Sequence, residues 1–130
     1  METPRAASIL GFVVALAAAA FAGGDPARAA DLNERALRLA KEGRLGEAVR
    51  TLEDALVAAP DDQTIRRNLG RCQANWGVAL LGKGDLLNAE QATRRARELL
   101  PTDAVIRLNL AACLDERGVD LGMSFPHLPR

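Results

Sequence analysis

The chain has 130 residues, 17 of them basic and 17 acidic, giving a formal net charge of zero. A neutral chain exerts no long-range pull on a phosphate backbone, so nucleic acid is not an expected partner. Aromatic residues make up 3% of the chain, which excludes a core built on large rings and favours helices packed closely through Ala, Leu, Val and Ile.

Residues 6–22 carry no charged side chain, and Ala20-Phe21-Ala22 before Gly23-Gly24 has the small-x-small form of a signal-peptidase site. The run is slightly shorter than the roughly 20 apolar residues that a membrane span needs. Residues 1–22 therefore read as a cleavable signal peptide or a retained N-terminal membrane anchor, with a buried soluble helix as the third possibility. Either of the first two exports the remainder. An Ala-rich chain in which Arg far outnumbers Lys fits a high-GC bacterial genome. The expected address is the periplasm or the outer face of the inner membrane, with membrane contact only through this segment if it stays uncleaved.

Residues 23–30 read as a flexible linker. Asp31, with Glu34 three residues on, is a capping-box-like start for a first helix that turns Leu32, Ala36, Leu39 and Ala40 to one side and stops at Gly43. Leu45, Ala48, Val49, Leu52, Ala55, Leu56 and Ala59 repeat at helical spacing in a second helix, which Pro60 ends. Asp61-Asp62 offers the N-cap for a third.

That third helix carries Ile65, Leu69, Cys72, Trp76 and Ala79 in a heptad stripe. Within it, Asn68-Leu69-Gly70 recurs seven residues later as Asn75-Trp76-Gly77, the mark of two inserted helical turns. Gly82 and Gly84 close it, and Asp85 caps a fourth helix that buries Leu86, Ala89, Ala92, Ala96 and Leu99 before Pro101. Thr102 or Asp103 caps a fifth through Ile106, Leu110, Cys113 and Leu114, which weakens around Gly118 and Gly122. Residues 122–130, with two prolines, read as an irregular tail.

Asp62, Ile65, Arg66, Asn68, Leu69 and Cys72 recur 41 residues later as Asp103, Ile106, Arg107, Asn109, Leu110 and Cys113. Gly43, Ala48, Ala55 and Pro60 recur as Gly84, Ala89, Ala96 and Pro101. A fixed period carried by small, apolar and helix-ending residues signals stacked helical hairpins. These residues resemble the tetratricopeptide repeat. In residues 29–62 the resemblance rests on Ala36, Leu39, Gly43, Ala48, Leu52, Ala55 and Pro60; in residues 70–103 it rests on Trp76, Gly77, Leu80, Gly84, Ala89, Ala96 and Pro101. A third unit shows only its first helix. The resemblance covers about residues 31–121 and implies an all-α, right-handed superhelical stack of antiparallel hairpins, about five helices after the N-terminal segment. It departs from the family pattern in the lengthened third helix and the missing last partner.

The resemblance also implies a role: holding a peptide or protein surface in the groove lined by the first helix of each unit. The groove positions are Asn33, Leu37 and Lys41, then Thr64, Arg67, Asn68, Arg71, Asn75 and Val78, then Asn109 and Ala112. Asn amides can grip an extended backbone, and Arg67 and Arg71 can take a carboxylate; the same residues equally suit a solvated helix face. Of the two-Lys, two-Asn, one-Arg arrangement with which chaperone-binding members hold a C-terminal carboxylate, only Asn75 stands in place. Cys72 and Cys113 have no metal spacing and read as buried thiols rather than a disulfide. His127 has no evident partner, and no nucleophile with a positioned base, phosphate loop or metal cluster is evident, so neither catalysis nor a cofactor is expected. The expected function is a non-catalytic adaptor of the cell envelope with a protein or peptide partner. The alternatives are an accessory region of a longer exported enzyme, or a homo-oligomer driven by exposed Leu114, Val119 and Leu121 on the final helix.

Overall fold

A computed structural model describes residues 24–116. The described residues form five helices: α1 (Pro26–Lys41), α2 (Leu45–Ala58), α3 (Gln63–Gly82), α4 (Leu86–Leu99) and α5 (Ala104–Glu116). None of them is long and apolar enough to cross a membrane. The signal or anchor segment, Val119, Leu121, His127 and the irregular tail lie outside the described residues.

Each connection is short because local chemistry ends one helix and starts the next. Gly43 and Gly84 take φ of +77° and +78°, the left-handed conformation that a glycine adopts without steric cost. Asp62 accepts from the backbone N–H of Thr64 and Ile65 at 2.9 and 3.1 Å, and Asp103 does the same for Val105 and Ile106 at 2.9 and 3.3 Å. Asp103 is thus the cap, not Thr102. Asp85 accepts from Asn88 N–H at 3.3 Å. These side chains satisfy amides that no helical carbonyl reaches.

The first helix begins earlier than its sequence pattern suggests. Asp25, not Asp31, is the N-cap and accepts from Arg28 N–H at 3.0 Å, with Pro26 in the first turn. Proline is preorganised for that place, and its missing N–H is one of the unpaired donors anyway. Residues 26–30 are therefore helix rather than linker, and Ala29 is buried. Asp25 N–H donates to Ala58 O at 2.8 Å, pinning the start of α1 to the end of α2.

The helices pack as successive antiparallel neighbours, and α3 sits between α2 and α4. A single inward stripe was expected on α3; two are observed. Ile65, Leu69 and Cys72 join Ala36, Leu39, Val49, Leu52 and Ala55 in the main core, and Trp76 packs on its edge. The indole lies over Gly46 at the start of α2, where an added Cβ would stand 3.2 Å from the ring. A quarter turn away, Gly70 meets Leu99 and Leu100, and Gly77 meets Ala89 and Thr93 of α4. Ala74, Ala96 and Ile106 form a smaller cluster with Leu100.

The repeated Asn-Leu/Trp-Gly step thus has a structural meaning: each copy places a large side chain toward α2 and a glycine toward α4. The two added turns preserve both contacts because seven residues return to nearly the same helix face. Several expected core residues, including Leu32, Leu86 and Leu99, are only half-buried.

The last helix corrects another expectation. Leu114 is buried with Ile106, Leu110 and Cys113, so it cannot drive association from an exposed face. Val105 and Leu108 are the large apolar residues of α5 left outside, at 64% and 66% exposure. Cys72 and Cys113 are buried free thiols, Cys113 lying 3.8 Å from Thr93 Oγ1.

Candidate functional site

Helix α3 carries Arg66, Arg67 and Arg71 and no acidic residue, in a chain otherwise balanced in charge. With Ile65, Leu69 and Cys72 turned to one side and Gly70, Ala74 and Gly77 to the other, a third strip remains: Thr64, Arg67, Asn68, Arg71, Asn75 and Val78. They recur at three- and four-residue spacing and so share a face. Thr64, Arg67, Arg71, Asn75 and Val78 are exposed; Asn68 is half-buried.

The strip has two walls. On one side Asn68 Nδ2 donates to Asn33 Oδ1 of α1 at 2.9 Å, tying residues 35 positions apart. On the other, Val78, Leu81 and Gly82 of α3 form an open cleft with Gly84, Leu86 and, on α5, Ala112 and Glu116. Val78 of α3 and Ala112 of α5 line the same cleft, and Asn109, one turn before Ala112, is half-buried. The pairing of Asn33 with Asn68 sets α1 in turn, with Lys41 at its exposed C-terminal end.

Of the expected groove residues, a hydrogen bond joins Asn33 of α1 to Asn68 of α3, and Val78 and Ala112 line one cleft between α3 and α5; they do not play equal parts. Asn33 and Asn68 spend one amide function each on holding α1 to α3. The side chains of Lys41, Arg67, Arg71 and Asn75 make no hydrogen bond or ion pair with another described residue; the ion pairs use other arginines, such as Arg44 with Glu47 at 2.7 Å and Arg94 with Glu90 at 2.7 Å. Arg67 and Arg71 stand one turn apart on α3, their guanidiniums exposed, a disposition suited to two carboxylates or one bidentate contact.

Two contributors were not foreseen. Val105 and Leu108 lie on the same face of α5 as Ala112 and give its wall an apolar surface. Their signal is present in the sequence: α5 is apolar around most of its circumference, which a helix with one buried face does not need. On the far side of α3 a second open cleft lies between α2 and α4, lined by Glu53, Leu56, Val57, Pro60, Leu69 and Arg95. It shares no residue with the expected groove.

Burial pushes the Cys72 thiol above its ordinary value, the reverse of an activated nucleophile. Among the described residues no group of His, Cys, Asp and Glu is placed to hold a metal ion.

No family model matches the chain, and no curated protein does. Among solved structures, the chain is similar to the first TPR of Spaghetti (RPAP3), bound to HSP90 peptide SRMEEVD, at 16% identity and a TM-score of 0.37, over 74% of this chain and 98% of that one.

Proposed function

We propose that this chain is an exported adaptor of the cell envelope whose tetratricopeptide-repeat-like hairpins hold an extended, acidic segment of another protein across α1, α3 and α5. The observation that carries this reading is the strip Arg67, Arg71 and Asn75: exposed, unspent within the described fold, and set between two walls on a helix without acidic residues. Arg67 and Arg71 take carboxylates, Asn75 and Asn109 exchange amide bonds with the segment's backbone, and the Val78–Ala112 cleft takes an apolar side chain. The uncharged run of residues 6–22 supports export.

The test is a binding titration against a library of short, extended peptides in which Asp and Glu alternate with apolar residues. Arg71→Ala combined with Asn75→Ala is expected to weaken the selected peptide at least about tenfold, the loss of one charge-assisted contact and one amide contact. Arg50→Ala, on the exposed side of α2, is expected to leave it unchanged. Equal affinity for both variants sinks the assignment. A second reading, association between copies, is favoured by the exposed Val105 and Leu108; sedimentation against concentration separates the two.

A further inference from the structure

Two apolar features stay open in the described fold, on different surfaces. One is the cleft between α2 and α4, where Leu56, Val57, Pro60 and Leu69 supply the apolar lining and Val57 is 80% exposed. The other is the outer face of α5, where Val105, Leu108 and Ala112 are exposed at the i, i+3, i+7 spacing of a helix that anchors in a groove.

The cleft selects the shape of its occupant. Glu53, Leu56, Val57, Leu69 and Arg95 all stand on helices, whose backbone groups bond within the helix. The carbonyl of Pro60, the lining residue outside a helix, accepts from Arg66 Nη2 at 3.3 Å. An extended segment lying there would leave its own amides and carbonyls unpaired, whereas a helix pairs them internally.

The charges select which helix. The cleft is acidic on its α2 wall at Glu53 and basic on its α4 wall at Arg95. The Glu53 side chain makes no hydrogen bond or ion pair with another described residue. Arg95 has Glu98 at 3.5 Å, an exposed pair that contributes little. The cleft therefore suits a helix with base along one flank and acid along the other. Around Leu108, helical spacing puts Arg107 on one flank of α5 and Glu116 on the other, with Asp115 at the C-terminal end of the apolar stripe. Of the two directions in which this helix fits along the cleft, one sets Arg107 against Glu53 and Glu116 against Arg95.

We propose that α5 of one copy of this chain docks in the α2–α4 cleft of a second copy. The inference rests on the association reading given above and supplies the surface that receives Val105 and Leu108. Cleft and stripe share no residue, so the contact joins copies head to tail. A 13-residue helix is about 20 Å long, which gives the small area of a weak, transient interface.

Sedimentation of the full chain from about 1 μM to about 1 mM tests this with two variants and their mixture. Val57→Asp disables the cleft and Leu108→Asp the docking helix; both residues are exposed, so the circular-dichroism spectrum is expected to stay unchanged. The native protein is expected to grow in mass with concentration, and each variant alone to associate at least about tenfold more weakly. An equimolar mixture of the two is expected to recover a complex that stops at one copy of each, because Leu108→Asp keeps a working cleft and Val57→Asp a working helix. Arg71→Ala combined with Asn75→Ala, which touches neither surface, is expected to associate like the native protein. Association that Leu108→Asp abolishes and Val57→Asp leaves intact overturns the proposal while the association reading stands. A mixture as weak as its components overturns it too. A native protein that stays monomeric throughout overturns both.

Discussion

Replacing Gly77 with alanine isolates the closeness of α3 and α4. In an exposed helix interior the change stabilises by about 1 kcal/mol, because alanine loses less backbone entropy. At Gly77 the new Cβ would overlap Thr93 Oγ1 and stand 3.2 Å from Ala89 O. Thr93 cannot swing aside: it is fully buried, and its hydroxyl donates to Ala89 O at 2.8 Å. Overpacking of this kind costs about 1–3 kcal/mol, so the net effect is a destabilisation of about 1 kcal/mol. For a domain of this size that lowers the midpoint of thermal unfolding by about 4–8 °C.

Gly82→Ala is the matched control, since nothing lies within 4 Å of a Cβ built there. It is expected to gain a few tenths to about 1 kcal/mol. Thr93→Ala removes the obstructing oxygen but loses a buried hydrogen bond, at a cost of about 1–2 kcal/mol. Added to Gly77→Ala, it should cost less than it does alone, with a coupling of about 1 kcal/mol. Urea unfolding followed by far-ultraviolet circular dichroism measures all four proteins. If Gly77→Ala stabilises as much as Gly82→Ala does, the two helices are not in the contact described and the account of the seven-residue insertion fails.

Gly43→Ala and Gly84→Ala each force a left-handed conformation on a residue with a Cβ and should each cost about 1 kcal/mol by the same unfolding assay. Asn33→Ala and Asn68→Ala should each cost about 0.5–1.5 kcal/mol, and the double variant little more than either, because they remove the two ends of one bond. Ile106→Ala should cost about 2–5 kcal/mol, whereas Leu108→Asp, on the same helix but turned outward, should stay within about 0.5 kcal/mol. The Cys72 thiol has its folded value raised by burial above the ordinary 9.0, so the fold favours the protonated form. Its contribution is complete below pH 9 and is lost as the pH climbs through the raised value; unfolding midpoints measured from pH 8 upward should fall for the native protein more steeply than for Cys72→Ala.

The sequence by itself determined the helices and their joints. Asp62, Asp85 and Asp103 as caps, Gly43 and Gly84 as left-handed stops, and Pro60 and Pro101 as breaks act within a few residues of chain, so their chemistry is legible without knowing what packs where. The start of α1 at Pro26 was local too, written in Asp25-Pro26 and hidden only by the stronger-looking Asp31 and Glu34. The candidate strip was legible in part: its exposed arginines and Asn75 follow from helical spacing once the inward stripe is placed. Only the tertiary structure decided how many neighbours each helix has. Sequence periodicity finds an apolar side, but it cannot tell one buried face from two when the second is made of glycine and alanine, as on α3. The same limit hid the bond between Asn33 and Asn68 and the burial of Leu114. Those depend on which long-range surfaces meet, and residue pairs 35 positions apart are set by packing rather than by any preference of the local chain.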